Sequence, residues 1–188
     1  PFAFYQVEEV TWDNELNVQD LHIYSRCDLY SAQKIYGYVQ DASKIKSFPT
    51  TDAVYHPNGY TGEGGFNYLI DGNQYTYNIT DWHSNDPAIP HYYQIDLGKS
   101  VSELRLYMKK HPNGDHAPKK VEVWVSTTED GTYTKVGEAT TKLLDSYESI
   151  TNAISLGGSY QYIRIYAPER SIDNKQCIAL SELYVLPN

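Results

Sequence analysis

The sequence predicts an all-β protein, an antiparallel β-sandwich of the jelly-roll type. Many short runs alternate apolar and polar residues, and turn signals separate them roughly every 8 to 15 residues. No segment keeps a helical period over three turns, so crossover helices are not expected and the strands should pair antiparallel. The 19 tyrosines, against a single methionine, also suit sheets better than helical bundles.

Residues 1–40 form an N-terminal β-rich segment that differs from the rest of the chain. Val7 to Thr11 and Leu21 to Tyr24 alternate as short strands do, and polar turn residues lie between them. We expect this segment to be either the end of a preceding domain or an extra layer on the main one. From residue 41 the pattern becomes regular, and residues 41–188 are predicted to form the main domain.

The main domain is predicted to bury one face of each strand. In every strand the apolar side chains fall on alternate positions, with polar or aromatic residues between them. The predicted buried sets are Leu104, Leu106 and Met108; Val121, Val123 and Val125; Ile163 and Ile165; and Leu183 and Val185.

Composition excludes several classes of partner. A formal net charge of -9 disfavours nucleic acid and anionic membranes, which both need basic surfaces. No run of 18 apolar residues is present, so we expect no membrane insertion. Cys27 and Cys177 are too few for a disulfide scaffold and are not spaced as a zinc site; pairing and two buried thiols both remain open.

No catalytic motif is present in the sequence. A nucleophile elbow, a His-Glu-x-x-His helix and a glycine-rich phosphate loop are all absent. Acidic pairs such as Glu8-Glu9 and Glu129-Asp130 are adjacent, which on a strand directs their side chains to opposite faces. The protein is therefore predicted not to be an enzyme.

Five sequence motifs follow one another in the main domain. They are Leu69-Ile-Asp-Gly-Asn73 with Thr76 and Trp82; Tyr93-Gln-Ile-Asp-Leu-Gly98; Pro118 to Ser126 with Asp130-Gly131; Tyr162-Ile-Arg-Ile-Tyr166; and Leu180-Ser-Glu-Leu-Tyr-Val185. In this order they resemble the coagulation factor V/VIII type C domain, also called discoidin-like, whose bacterial members include carbohydrate-binding module family 32. The resemblance covers residues 41–188 and implies a galactose-binding-domain-like jelly roll with ligand-binding loops at one end.

The resemblance also implies a structural Ca²⁺ site. The matching positions are Asp71, Asn73, Thr76 and Glu182, with backbone carbonyls completing the shell. Ca²⁺ takes six to eight oxygen ligands, and a tight turn presents several at once. The alternative is that Asp71-Gly72 is only a hairpin turn and Glu182 a solvated edge charge.

A sugar site needs a flat aromatic ring and a few directional polar groups. In the resembling modules these groups come from loops, and three loops of this chain offer them. The candidate ligand-binding residues are Tyr75, Tyr77, Trp82, His83, Lys110, His111, Asn113, Arg170 and Asn174. His116 and Asp173 occur in the same loops. Residues 167–178 carry no aromatic, although sugar-binding members often place one there.

Two functions follow from the resemblance. The first is a non-catalytic carbohydrate-binding, lectin-like module, extracellular or at the cell surface, that attaches a larger exported protein to glycans. Its partners would be a glycan, with galactose-type or related terminal sugars as candidates, and other domains of the parent protein. The alternative is a protein-interaction or spacer module of the same fold without a sugar site. Exposure of the loop aromatics around a groove would favour the first.

Overall fold

The computed structural model describes residues 6–12, 18–24, 37–39, 41–51, 53, 62–82, 90–111, 113–114 and 116–187. Antiparallel strands dominate, and the prediction of an all-β sandwich is confirmed. Two short 3₁₀ helices are described, at Ala42–Lys44 and Phe66–Leu69. The strands are β1 Gln6–Trp12, β2 Val18–Tyr24, β3 Ile45–Phe48, β4 Asn78–Ile79, β5 His91–Lys110, β6 Lys120–Ser126, β7 Thr134–Thr140, β8 Glu148–Ile150, β9 Ile154–Ala167 and β10 Ala179–Leu186.

The main domain consists of two antiparallel sheets that share β5. The first half of β5 lies between β3 and β9, and β6 and β7 extend this first sheet beyond β9. The second half of β5 lies between β8 and β10 in the other sheet, where β4 pairs with the start of β10. The connectivity is therefore that of a sandwich in which one strand crosses from layer to layer.

Strand β5 bends at residues 97–101, where its pairing with β9 shifts register. Gly98 has a φ of 71°, a left-handed conformation that favours glycine, and its N–H donates to Asp96 Oδ1 at 2.8 Å. The second half of β5 runs back after the bend, so both ends of β5 lie at the same end of the sandwich. His91 Nδ1 lies 2.7 Å from Thr80 Oγ1, and Lys110 is opposite Leu180.

The core fills the space between the sheets with the predicted alternating residues. Leu104, Leu106, Met108 and Val123 are each fully buried, and the remaining predicted positions of β6, β9 and β10 are buried as well. Each such aliphatic side chain stabilises the fold by roughly 1.5 to 3 kcal/mol through burial. The predicted buried faces are confirmed.

Strand β10 is buried on both faces, which simple alternation does not predict. Glu182 and Tyr184 are as inaccessible as Leu183 and Val185. The 3₁₀ helix Phe66–Leu69 contacts β10 and helps to cover the second face. The side chain of Glu182 is therefore an interior group rather than a solvated one, and the solvated-edge alternative is wrong.

The N-terminal segment contains a two-stranded antiparallel hairpin made of β1 and β2. Just before the predicted boundary at residue 41, Tyr38 N donates to Val185 O at 2.8 Å and Val39 joins the sandwich core. The division at residues 40 and 41 stays a prediction.

Cys27 lies outside the described residues, so its relation to the buried Cys177 also stays open. Among the described helices, none has the length and apolar character needed to cross a membrane.

Candidate functional site

Three loop segments meet at the end of the sandwich where both ends of β5 lie. The first leaves β4 at Thr80, whose N–H donates to Ile178 O at 3.0 Å and whose Oγ1 accepts from Ile178 N at 2.9 Å. The second follows β5, and the third precedes β10. Ile172 N donates to Ala117 O at 2.9 Å and ties the third segment to the second. These bonds fix the backbone that carries Trp82, two residues after Thr80.

A cavity of about 530 Å³ opens between these segments. We call it the Trp82 cavity, because Trp82 lines it and is 40% exposed. The other lining side chains are polar or small. The described lining residues are Trp82, His116, Arg170, Asn174, Lys175, Gln176 and Cys177.

A polar network holds His116 in the cavity wall. His116 Nδ1 lies 2.6 Å from Asp173 Oδ2, and His116 N donates to Asp173 Oδ1 at 2.9 Å. Ser171 Oγ donates to the same Oδ1 at 2.6 Å. Partial burial acts to raise the pKa of Asp173, but the Ser171 hydroxyl and the His116 ring outweigh it and hold that pKa below its usual value. Asp173 therefore joins the second and third loop segments as a carboxylate.

Two lining residues have left-handed backbones. His116 has a φ of 61° and Asn174 a φ of 66°, and they are the non-glycine residues with positive φ in the described part of the chain. This conformation costs on the order of 1 kcal/mol or more and tends to concentrate at binding sites. Both occurrences lie in the wall of one cavity, which marks the cavity as a shaped site.

The turn before β4 is rich in oxygen atoms. Asp71 Oδ1 accepts from Asn73 N at 2.8 Å, and Thr76 Oγ1 lies 2.8 Å from both Asp71 Oδ2 and Asn73 O. Lys109 Nζ donates to Gln74 Oε1 at 3.3 Å and links the turn to β5. Carboxylate, hydroxyl and carbonyl oxygens thus gather within one short turn.

Glu182 of β10 is fully buried near this turn. Neither of its carboxylate oxygens has a hydrogen-bond partner among the described residues. Burial raises the pKa of Glu182 to about 7, and the neighbouring Asp71 carboxylate adds to this effect, while the nearby Tyr184 hydroxyl, Gly72 N–H and Lys109 ammonium act against it. A buried carboxylate beside a second one is costly unless a cation or a proton compensates it.

Comparison with known proteins identifies the family. The model of the F5/8 type C domain matches residues 50–183. The chain belongs to the F5/8 type C domain family. A search of curated proteins finds no significant match.

Solved structures share the fold of this F5/8 type C domain. A family 32 module from Clostridium perfringens, in complex with GalNAc-β-1,3-galactose, has 20% identity and a TM-score of 0.58, covering 78% of this chain and 97% of its own. The C-terminal domain of a Bacteroides fragilis chitobiase has 22% identity and a TM-score of 0.57, and the match covers 78% of this chain and 97% of that domain. The family 32 module of C. perfringens NanJ, in complex with galactose, has 20% identity and a TM-score of 0.51, and the match covers 78% of this chain and 96% of that module. These likenesses confirm the predicted fold.

Three of the predicted ligand-binding residues meet in the Trp82 cavity of this F5/8 type C domain. They are Trp82, Arg170 and Asn174, which come from two segments almost 90 residues apart in sequence. His116, Lys175, Gln176 and Cys177 complete the described lining, and Lys175 and Gln176 were not predicted as candidates. Their signal in the sequence was weak, since polar residues in a loop most often only face solvent.

The other predicted ligand-binding residues that the structure describes lie outside the cavity lining. Tyr77 is buried and packs edge-on against His111, with ring centroids 3.9 Å apart. Lys110 Nζ donates to Leu143 O at 2.9 Å and lies 4.8 Å from the Tyr147 ring centroid.

Tyr75 and Asn113 are exposed, but neither is among the described residues that line the cavity, and His83 lies outside the described residues.

The predicted metal ligands lie in two elements. Asp71, Asn73 and Thr76 form the hydrogen-bonded turn, and Glu182 is the buried carboxylate of β10. Asn73 Oδ1 accepts from Tyr75 N at 3.1 Å, so the Asn73 side chain shapes the turn. No cluster of three or more His, Cys, Asp or Glu side chains suited to a metal occurs in the part of the chain that the structure describes. A site here would therefore depend on hydroxyl and carbonyl oxygens besides its two carboxylates.

Proposed function

We propose that this domain is a non-catalytic carbohydrate-binding module that attaches a larger exported or cell-surface protein to glycans through the Trp82 cavity. The exposed Trp82 indole beside Arg170 and Asn174 is the observation that carries the proposal. An indole face stacks on the apolar face of a pyranose, the guanidinium donates to hydroxyls, and the amide donates to hydroxyls or accepts from them. The cavity is also large enough for one or two sugar rings.

The comparisons support this choice at the level of the family. Two of the similar structures are complexes with GalNAc-β-1,3-galactose and with galactose. We therefore expect a terminal sugar as ligand, bound outside the cell or at its surface. A shallow site of this kind binds single sugars weakly, with Kd of about 0.1 to 1 mM, because it engages one ring face and few hydroxyls.

A glycan array, with the domain displayed multivalently so that avidity reveals weak sites, tests the function. The domain should give selective signal on a small set of terminal sugars, and Trp82→Ala should lose it while melting at the same temperature. Silence of the folded wild-type domain across a broad array would refute the proposal and favour the protein-interaction module.

We also propose that Asp71, Asn73, Thr76 and Glu182, together with backbone carbonyls, hold a structural Ca²⁺. The orphaned oxygens of the buried Glu182 and the oxygen-rich turn fit this ion, which prefers carboxylate and carbonyl oxygens. When bound, Ca²⁺ would neutralise the two carboxylates. The turn would then be joined to β10, and the loops that follow it, including Trp82, would gain rigidity.

A further inference from the structure

We propose that the sugar bound in the Trp82 cavity carries an anionic group, a carboxylate or a sulfate. This inference rests on the proposed glycan-binding function. Among the described lining residues, Arg170 and Lys175 are the permanently charged ones, and both are positive. The whole chain has a formal net charge of -9, so the permanent charge of the described lining is opposite in sign to that of the molecule.

Several lysines in the described part of the chain make ion pairs, whereas Arg170 and Lys175 do not. Lys44 pairs with Asp96 at 2.9 Å, and Lys120 pairs with Glu138 at 2.9 Å. Lys135 pairs with Glu122 at 2.7 Å. Within the described part of the chain, neither Arg170 nor Lys175 has a carboxylate partner.

The loop that carries both cations contains two acids, Glu169 and Asp173, and neither is among the described residues that line the cavity. Glu169 is exposed and makes no ion pair with either cation among the described residues. Asp173 lies between Arg170 and Lys175 in sequence, but its carboxylate accepts from Ser171 Oγ and His116 N and lies 2.6 Å from His116 Nδ1. The Asp173 carboxylate therefore lies against His116, in the loop that follows β5. The network fixes the loop and leaves Arg170 and Lys175 for an external anion.

Hydrogen bonds within the loop fix the backbone from which the Arg170 and Lys175 side chains extend. Lys175 N donates to Ser171 Oγ at 2.9 Å, and Ser171 N donates to Lys175 O at 2.9 Å, so the turn is closed by reciprocal bonds. Arg170 Nη1 donates to Asn174 O at 3.2 Å, which orients the guanidinium and occupies one of its five donors. A planar guanidinium oriented in this way suits the two oxygens of a carboxylate or sulfate.

A neutral sugar needs hydrogen-bond donors and acceptors but not two positive charges. Amide and hydroxyl groups, such as those of Asn174 and Gln176, satisfy a neutral sugar without concentrating positive charge. Long-range repulsion from the acidic molecule also disfavours anions, so the preference must come from contacts made inside the cavity.

The test compares sugars that differ only in charge. Galactose, glucose and N-acetylglucosamine, displayed multivalently, are each presented in neutral, 6-carboxylate, carboxylate methyl ester and 6-sulfate forms. Sialic acid is presented beside its methyl ester. We expect the domain to bind an acidic form at least about tenfold more tightly than its neutral counterpart, as one charge-assisted hydrogen bond provides. Loss on esterification identifies a carboxylate, whereas retention only on the sulfate form identifies a sulfate.

Three variants connect the preference to the cavity. Lys175→Gln should lower binding of the acidic sugar about tenfold and change binding of the neutral form little. Arg170→Gln should weaken both forms, because its guanidinium also donates to sugar hydroxyls, but should weaken the acidic form about tenfold more than the neutral one. Lys99→Gln is the matched control, because Lys99 is exposed beside the β5 bend at the opposite end of the sandwich. Melting temperatures of all three should match that of the wild type.

The outcomes separate this inference from the proposed function. Equal or tighter binding of the neutral forms would overturn the inference and leave the glycan-binding function standing. An acidic preference that survives both cavity substitutions would also overturn it. Silence of the folded protein on every sugar would refute both together.

Discussion

Replacing Glu182 by Gln tests whether its carboxylate binds Ca²⁺ or is only a buried acid of the core. The carboxylate is fully buried, its two oxygens have no hydrogen-bond partner among the described residues, and Asp71 lies near enough to raise its pKa. If Ca²⁺ binds here, the wild-type domain at a free Ca²⁺ concentration of 100 times Kd gains about 2.7 kcal/mol. For a domain of this size that gain raises Tm by roughly 5 to 10 °C.

Glu182→Gln should lose most of this rise. In metal-free buffer the variant should be at least as stable as the wild type, because a buried unpaired charge has been removed. The assay is thermal unfolding in EDTA and in a Ca²⁺ series. Glu169→Gln is the matched control, since Glu169 is exposed. An equal Ca²⁺-dependent shift in Glu182→Gln, or no shift in the wild type after thorough EDTA dialysis, would refute the calcium site.

Three further predictions concern the cavity and the core. Lys110→Gln should leave glycan binding unchanged in the array, because its ammonium bonds to Leu143 O away from the described cavity lining; a tenfold loss would show that the site extends there. Leu106→Ala should cost about 2 to 5 kcal/mol in chemical unfolding, since the side chain is fully buried, and a change below about 1 kcal/mol would contradict the core assignment.

Asp173 has a lowered pKa, so its carboxylate stabilises the fold above its usual pKa and that stabilisation is lost as pH falls through the lowered value. Asp173→Asn should therefore reduce stability at pH 7 and flatten its decline in acid, and an unaltered pH profile would contradict the network.

Alternation was enough to predict the short strands of the sandwich. In β6 the valines at 121, 123 and 125 are buried because one side of the strand faces the other sheet. The same reasoning could not predict β5 as one strand. Gly98 follows the first half of the strand and looks in the sequence like the start of a turn. The bend is a tertiary feature, stabilised by pairing with β9 on both sides of it.

The site was predictable as a set of loops but not as a set of side chains. Trp82, Arg170 and Asn174 were predicted from two separate loops, and the structure brings them together in the Trp82 cavity, whereas Tyr77 packs against His111. Which side chains of a loop face the groove depends on backbone angles such as the φ of 66° at Asn174. Local sequence patterns do not determine these angles, because contacts with other loops select them.

The most direct measurement of the central claim is an NMR titration of the labelled domain with the sugar selected on the array. The indole N–H signal of Trp82, assigned with Trp82→Phe, and the amide signals of residues 170–177 should shift first and saturate together with a Kd of about 0.1 to 1 mM. Shifts confined to the sheet faces or to the Lys110 and Tyr147 region, with the Trp82 indole unmoved, would contradict glycan binding in this cavity.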